Sequence, residues 1–228
     1  SVMGWRGAFF CLVPVALVVF IWQCVSLPSM KTAAKEKKAG NVLRLLRKPQ
    51  VATGMAACGL FFMGQFALFT YLRPFLETVT AVDVSTLSLI LLTIGMAGFI
   101  GTLIIGVFLR KGFYLTLMAI PLMMTAIAVM LMLTGHRLWI VAPLLGLWGL
   151  VATAAPVGWW SWVARTFPDN AEAGGGLMVA VVQLSIALGS TAGGLAFDSA
   201  GWQTTFAISG VLLTLAACLT FVTSRTQH

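Results

Sequence analysis

Seven runs of at least 20 residues contain no Asp, Glu, Lys or Arg: 8–27, 50–72, 85–109, 112–134, 138–164, 174–197 and 201–224. A helix rising 1.5 Å per residue needs roughly 20 residues to cross about 30 Å of hydrocarbon, so each run is long enough to span a bilayer. A charge at the middle of such a helix would cost about 2.5–3.5 kcal/mol. Hydrophobic residues make up 60% of the chain and charged residues 9%. A soluble domain carries roughly 45–50% and 25%. A water-soluble globule is therefore excluded, and the expected fold is an all-α membrane protein with seven transmembrane helices.

The formal charge of +8 would point to nucleic acid in a soluble protein, but here the basic residues sit between apolar runs. They are read as topology signals, with no nucleic-acid partner expected. Residues 28–49 hold Lys31, Lys35, Lys37, Lys38, Arg44, Arg47 and Lys48, and alternate connections on the same side add Arg110, Lys111, Arg165 and Arg225. The other side has Arg6, Arg73 and Arg137. Basic residues resist translocation, so this asymmetry places the long linker and the C-terminus in the cytoplasm, with Ser1 outside. Trp5, Trp139 and Trp202 open helices on the outer side, as an aromatic belt would.

The linker separates one helix from a block of six. The expected organisation is a helix over residues 1–27, a basic cytoplasmic linker over 28–49, a six-helix bundle over 50–224 and a tail over 225–228. Within the linker, Val42, Leu43, Leu45 and Leu46 interleave with Arg44, Arg47 and Lys48, which fits either a short amphipathic helix on an anionic leaflet or a solvated basic segment. Gly4-Trp5-Arg6 with Phe9 opens the first span, and Gly201-Trp202-Gln203 with Phe206 opens the last at matching depth. Read as a repeat, this makes the first helix the end of an earlier six-helix unit and the remainder a complete second unit, the organisation of a 6+6 transporter. Ser1 is not an initiator methionine, and the chain is expected to be part of something longer.

The G-W-R-x-x-F entry at Gly4 to Phe9, the basic central loop, and Gly101 and Gly106 followed by Arg110-Lys111 resemble the major facilitator superfamily of the drug:H+ antiporter type. Gln65-Phe66-Ala67 leading to Phe69-Thr70-Tyr71 and Arg73-Pro74 is more particular. So are Pro156-Val157-Gly158-Trp159 with Ser161-Trp162, Ala171-Glu172, and Gln183-Leu184 before Gly193-Gly194 and Asp198. Together they are similar to the C-terminal portion of bacterial purine ribonucleoside efflux pumps. The resemblance implies efflux by alternating access across the bacterial inner membrane, with H+ as the counter-ion and the N-terminal half as partner. It also implies a cytoplasmic gate at Gly101, Gly106, Arg110 and Lys111. The family's antiporter motif and proton-coupling residues belong largely to first-half helices that this chain does not contain.

From the residues themselves, amides near the bilayer midplane are the first candidates for a solute path, because polar groups in hydrocarbon need a partner. Gln65 and Gln183 qualify, and each offers two donors and an acceptor. An interhelical hydrogen bond is the competing role for both. Phe62, Phe66 and Phe69 line one side of the second span beside Gln65, which fits a stacking wall for a flat ring, with a lipid-facing or core-filling role as the default alternative. Trp148 lies deep, and at 100° per residue Trp148 and Trp159 share a face. Belt positions account for Trp22, Trp159, Trp160 and Trp162, and it is the face shared with Trp148 that makes Trp159 a candidate as well. Pro14, Pro121, Pro143 and Pro156 interrupt spans, while Gly95, Gly98, Gly101 and the pair Gly189 and Gly193 allow close helix approach.

Cys11, Cys24, Cys58 and Cys218 lie in apolar runs without metal-ligand spacing, and His136 and His228 are isolated. No metal, cofactor or catalytic set is expected, so an enzyme is the least favoured class. The reading is a carrier fragment for a small, neutral, ring-bearing solute, since no counter-ion for a charged one lies in these spans. A drug or sugar carrier of the same superfamily, a transport-inactive chain and a seven-helix receptor remain as alternatives. The receptor explains neither the repeat nor the 1+6 division, and a retinal protein would also want a lysine that the last span lacks.

Overall fold

The computed structural model describes residues 5–26 and 42–226. These divide into two units, split between residues 40 and 41. In the first, α1 (Trp5–Ser26) runs without a break through Pro14.

The second unit is a bundle of six long helices: α2 (Pro49–Phe69), α4 (Val84–Lys111), α5 (Phe113–Thr134), α6 (Leu138–Thr166), α7 (Ala171–Ala200) and α8 (Trp202–Arg225). A seven-residue helix, α3 (Leu72–Thr78), follows α2 after a bend at Thr70 and Tyr71. All six, counting α2 with α3, are long and apolar enough to cross a membrane. Arg110, Lys111, Arg165 and Arg225 close the last turns of α4, α6 and α8, so these residues mark a basic end of the bundle. A 3-10 helix, Val42–Arg47, sits at that end, with Leu45 and Leu46 packed half-buried against the core and Arg47 and Lys48 exposed. The segment is helical, but Leu45 and Leu46 face the bundle and not the leaflet that the amphipathic reading expects.

The expected span at 50–72 extends further as α3. Arg73 and Glu77 end the charge-free run, yet they pair across one exposed helical turn at 2.8 Å while Leu72, Phe75 and Leu76 turn inward. Helices α5 and α6 also run unbroken through Pro121, Pro143 and Pro156. Asp83 caps α4 by accepting from the backbone N–H of Ser85 and Thr86. The Thr86 hydroxyl, with those N–H groups, holds the Asp83 carboxyl below its ordinary range. Gly201 alone turns α7 into α8, at a φ of +85° that disfavours other residues.

Helix pairs approach at backbone contact. On α4, Gly101 rests on the Leu150 carbonyl of α6, and Gly149 of α6 on the Ile94 carbonyl of α4. Gly189 and Gly193 of α7 rest on the carbonyls of Met63 and Ala67. With no hydrophobic force to separate helix from lipid, such small-residue contact and interhelical hydrogen bonds are what hold the bundle. Ser209 of α8 donates to the Gly64 carbonyl of α2 at 2.6 Å, and Thr125 of α5 to the Gly210 carbonyl at 3.3 Å. Among the core side chains, Phe61, Phe75, Trp148, Phe206 and Leu213 are wholly buried. Trp202 packs edge-on to Phe206 at 5.5 Å and tilted on Phe75 at 5.0 Å, so it is more than a belt residue. Trp139 stays exposed.

Candidate functional site

At the end opposite the basic one, α2 and α7 are tied together. The Tyr71 hydroxyl donates to the Ser190 carbonyl at 3.0 Å, the Thr70 and Ser190 hydroxyls lie 2.9 Å apart, and the Tyr71 ring stacks on Phe197 at 5.4 Å. Gly194 leaves room for the Tyr71 hydroxyl. In the half of the bundle nearer the basic end, a cavity of about 210 Å³ lies between α2, α6 and α7. Phe62 from α2, Pro156, Trp159 and Trp160 from α6, and Met178, Val179, Val182 and Gln183 from α7 line it.

Trp159 is almost buried and meets Trp162 edge-to-face at 6.1 Å, which fixes one side of its ring and leaves another for the cavity. The Gln183 amide has no hydrogen bond to any described residue, leaving two donors and an acceptor for whatever enters. No charged side chain lines the space. Behind Met178 the buried Cys58 thiol approaches the Met178 sulfur at 3.2 Å, a soft apolar contact between α2 and α7.

Of the residues expected to meet solute, Phe62, Trp159 and Gln183 share this cavity. Gln65 and Phe66 lie about one turn further along α2 and do not line it. Gln65 is half-buried, and its carbonyl oxygen is enclosed without a hydrogen-bond donor. Phe66 and Phe69 meet edge-to-face at 6.2 Å, with Phe69 exposed. Trp148 is wholly buried and its indole N–H has no acceptor, so it is part of the packed core in this conformation. Gly101 makes the α4–α6 contact, Gly106 has open space beside it, and Arg110 and Lys111 are exposed. Two lining residues were read otherwise from sequence. Trp160 was assigned to the aromatic belt and Pro156 to helix mobility, although a Pro-x-x-Trp-Trp spacing puts all three on adjoining faces of one turn.

The Major Facilitator Superfamily profile matches residues 1–190, most of the chain. The chain belongs to the Major Facilitator Superfamily. It is therefore a multi-pass membrane protein of a transporter family, as its six apolar helices require. Among curated relatives of this superfamily member, the "Transcription regulatory protein OpdE" of Pseudomonas aeruginosa is 59% identical over 230 residues, covering all of this chain and 57% of the relative. The "Purine ribonucleoside efflux pump NepI" of Salmonella enteritidis is 37% identical over 217 residues, 95% of this chain and 54% of the relative. The Salmonella typhimurium pump of the same name is also 37% identical. The chain spans about half the length of these relatives.

Proposed function

We propose that this chain forms the second bundle of an efflux carrier that moves a small, neutral, flat-ringed solute, of the purine ribonucleoside kind, by alternating access. The observation that carries the reading is the cavity between α2, α6 and α7, walled by Trp159, Trp160 and Phe62 and carrying one uncommitted amide, Gln183, with no charged lining residue. Aromatic faces take a ring, an amide pairs with a base edge or a ribose hydroxyl, and an uncharged wall favours an uncharged solute. The printed function of the Salmonella relatives supports the same solute class. Gln65, with its unpaired carbonyl, supplies a second polar contact as the path continues along α2 past Phe66 and Phe69, and Trp148 backs the path from the core. Gly101, Gly106, Arg110 and Lys111 act at the gate on the basic end, which faces the cytoplasm of the bacterial inner membrane.

Coupling to protons is part of the proposal, and the titrating group belongs to the partner bundle. Glu77 is paired with Arg73, Asp83 caps α4, and Asp169, Glu172 and Asp198 lie at helix ends or between helices, so among the described residues no acid sits at mid-membrane to change charge during turnover. Cells expressing the full-length carrier should lose preloaded radiolabelled inosine severalfold faster than vector controls, and a protonophore should abolish the difference. Inosine loss at the control rate would remove the solute assignment, and loss insensitive to the protonophore would remove the coupling.

A further inference from the structure

At the basic end, α4 passes into α5 through Gly112 alone, which brings Arg110 and Lys111 beside the start of α5. The guanidinium of Arg165, in the last turn of α6, lies 4.0 Å above the Phe113 ring, so three exposed cations gather at one corner. Between described residues the one ion pair is Arg73 with Glu77, at the opposite end. The acids of the basic end, Asp169 and Glu172, belong to the α6–α7 connection and the first turn of α7. The residues that follow each member of the stacked pair in sequence, Tyr114 after Phe113 and Thr166 after Arg165, have hydroxyls enclosed by protein without a hydrogen-bond partner. Thr166 is unusual in this bundle. Thr102, Thr116, Thr125 and Thr134 all donate to the carbonyl four residues back, and Thr166 does not.

Three exposed cations at one corner match a phosphate, which accepts charge-assisted hydrogen bonds on several oxygens. The surroundings decide which phosphate. Immediately on the membrane side, Phe108 of α4 is 54% exposed and Leu115 of α5 70% exposed. A free anion has no use for that apolar surface, whereas a diacyl lipid lays its chains along it. We propose that this corner binds the headgroup of an acidic glycerophospholipid, with Arg165, Lys111 and Arg110 on the phosphate and the acyl chains against Phe108 and Leu115. Positive charge at the end of a membrane helix sets topology in general. A built site adds selectivity between cations that sit on the same end.

That selectivity is what the test reads. The full chain, purified in detergent, is mixed with phosphatidylglycerol or phosphatidylcholine, and bound lipid is counted by native mass spectrometry. Phosphatidylglycerol should be retained at severalfold higher occupancy. Arg165→Gln and Lys111→Gln should each lower that occupancy severalfold, Arg165→Lys should restore part of it, and Arg225→Gln, which removes a cation of the same end stacked on Phe221 instead, should leave it unchanged. Lys111 is exposed at a helix end, so its variant carries the test if Arg165→Gln does not fold. Equal retention of the two lipids, or an Arg225→Gln loss as large as the others, would overturn the site in favour of diffuse attraction. Displacement of the lipid by millimolar inorganic phosphate would overturn the lipid assignment in favour of a free-anion site.

Discussion

Gly101 and Gly106 sit five residues apart on α4 and face opposite circumstances. A Cβ at Gly101 would run into the Leu150 backbone, which has nowhere to go without parting α4 from α6, while a Cβ at Gly106 meets nothing within 4 Å. Gly101→Ala is expected to destabilise the protein by about 1–3 kcal/mol through overpacking. Gly106→Ala should be neutral or stabilising by up to about 1 kcal/mol, because alanine loses less entropy in a helix. Thermal unfolding of the purified protein in detergent separates the two, and equal midpoints for both variants would contradict the contact. A motif reading that assigns both glycines one role does not distinguish them, whereas the packing does. Gly54 follows the same logic, since the Trp162 indole lies directly over it and no larger residue fits there.

Among the elements, α2 and α7 are joined most tightly at the end where Tyr71 bonds to the Ser190 carbonyl. Tyr71→Phe keeps the stack on Phe197 and removes the hydrogen bond, for an expected loss of about 0.6–1.7 kcal/mol. Removal of the ring by Tyr71→Ala should cost clearly more, and unfolding midpoints ranked the other way would contradict the arrangement. The long helices were legible in the chain because a charge in hydrocarbon is expensive and its absence over 20 residues is conspicuous. Helix α3 was not, because Arg73 and Glu77 look like the end of a span until their mutual pairing is seen. Depth singled out Gln183, and the helical face shared with Trp148 singled out Trp159; both line the cavity. Depth could not tell that Trp148, on the same face of α6, meets core and not space, because periodicity names a face and not the neighbour opposite it. Trp160 illustrates the converse, a belt-like position that turns out to border the cavity.

At the scale of the whole molecule, loop charge is the basis of the proposed orientation. In a cysteine-free full-length background, Asp83→Cys and Ser199→Cys should react with an impermeant thiol reagent in intact cells and Lys37→Cys should not; labelling at Lys37 alone would reverse the bundle. Within that frame, α2 and α7 are tied at the end opposite the basic one, and the cavity lies in the half of the bundle nearer the basic end. The account stands or falls on solute meeting that cavity. The most direct measurement is efflux of labelled purine ribonucleoside by the full-length carrier bearing Trp159→Leu or Gln183→Leu, with Leu184→Ala, an exposed neighbour outside the cavity lining, as control and membrane abundance followed in parallel. Efflux falling severalfold for the first two variants at normal abundance, with the control unaffected, is the predicted result. Efflux at the wild-type rate in both, or efflux falling only in step with abundance, would contradict it.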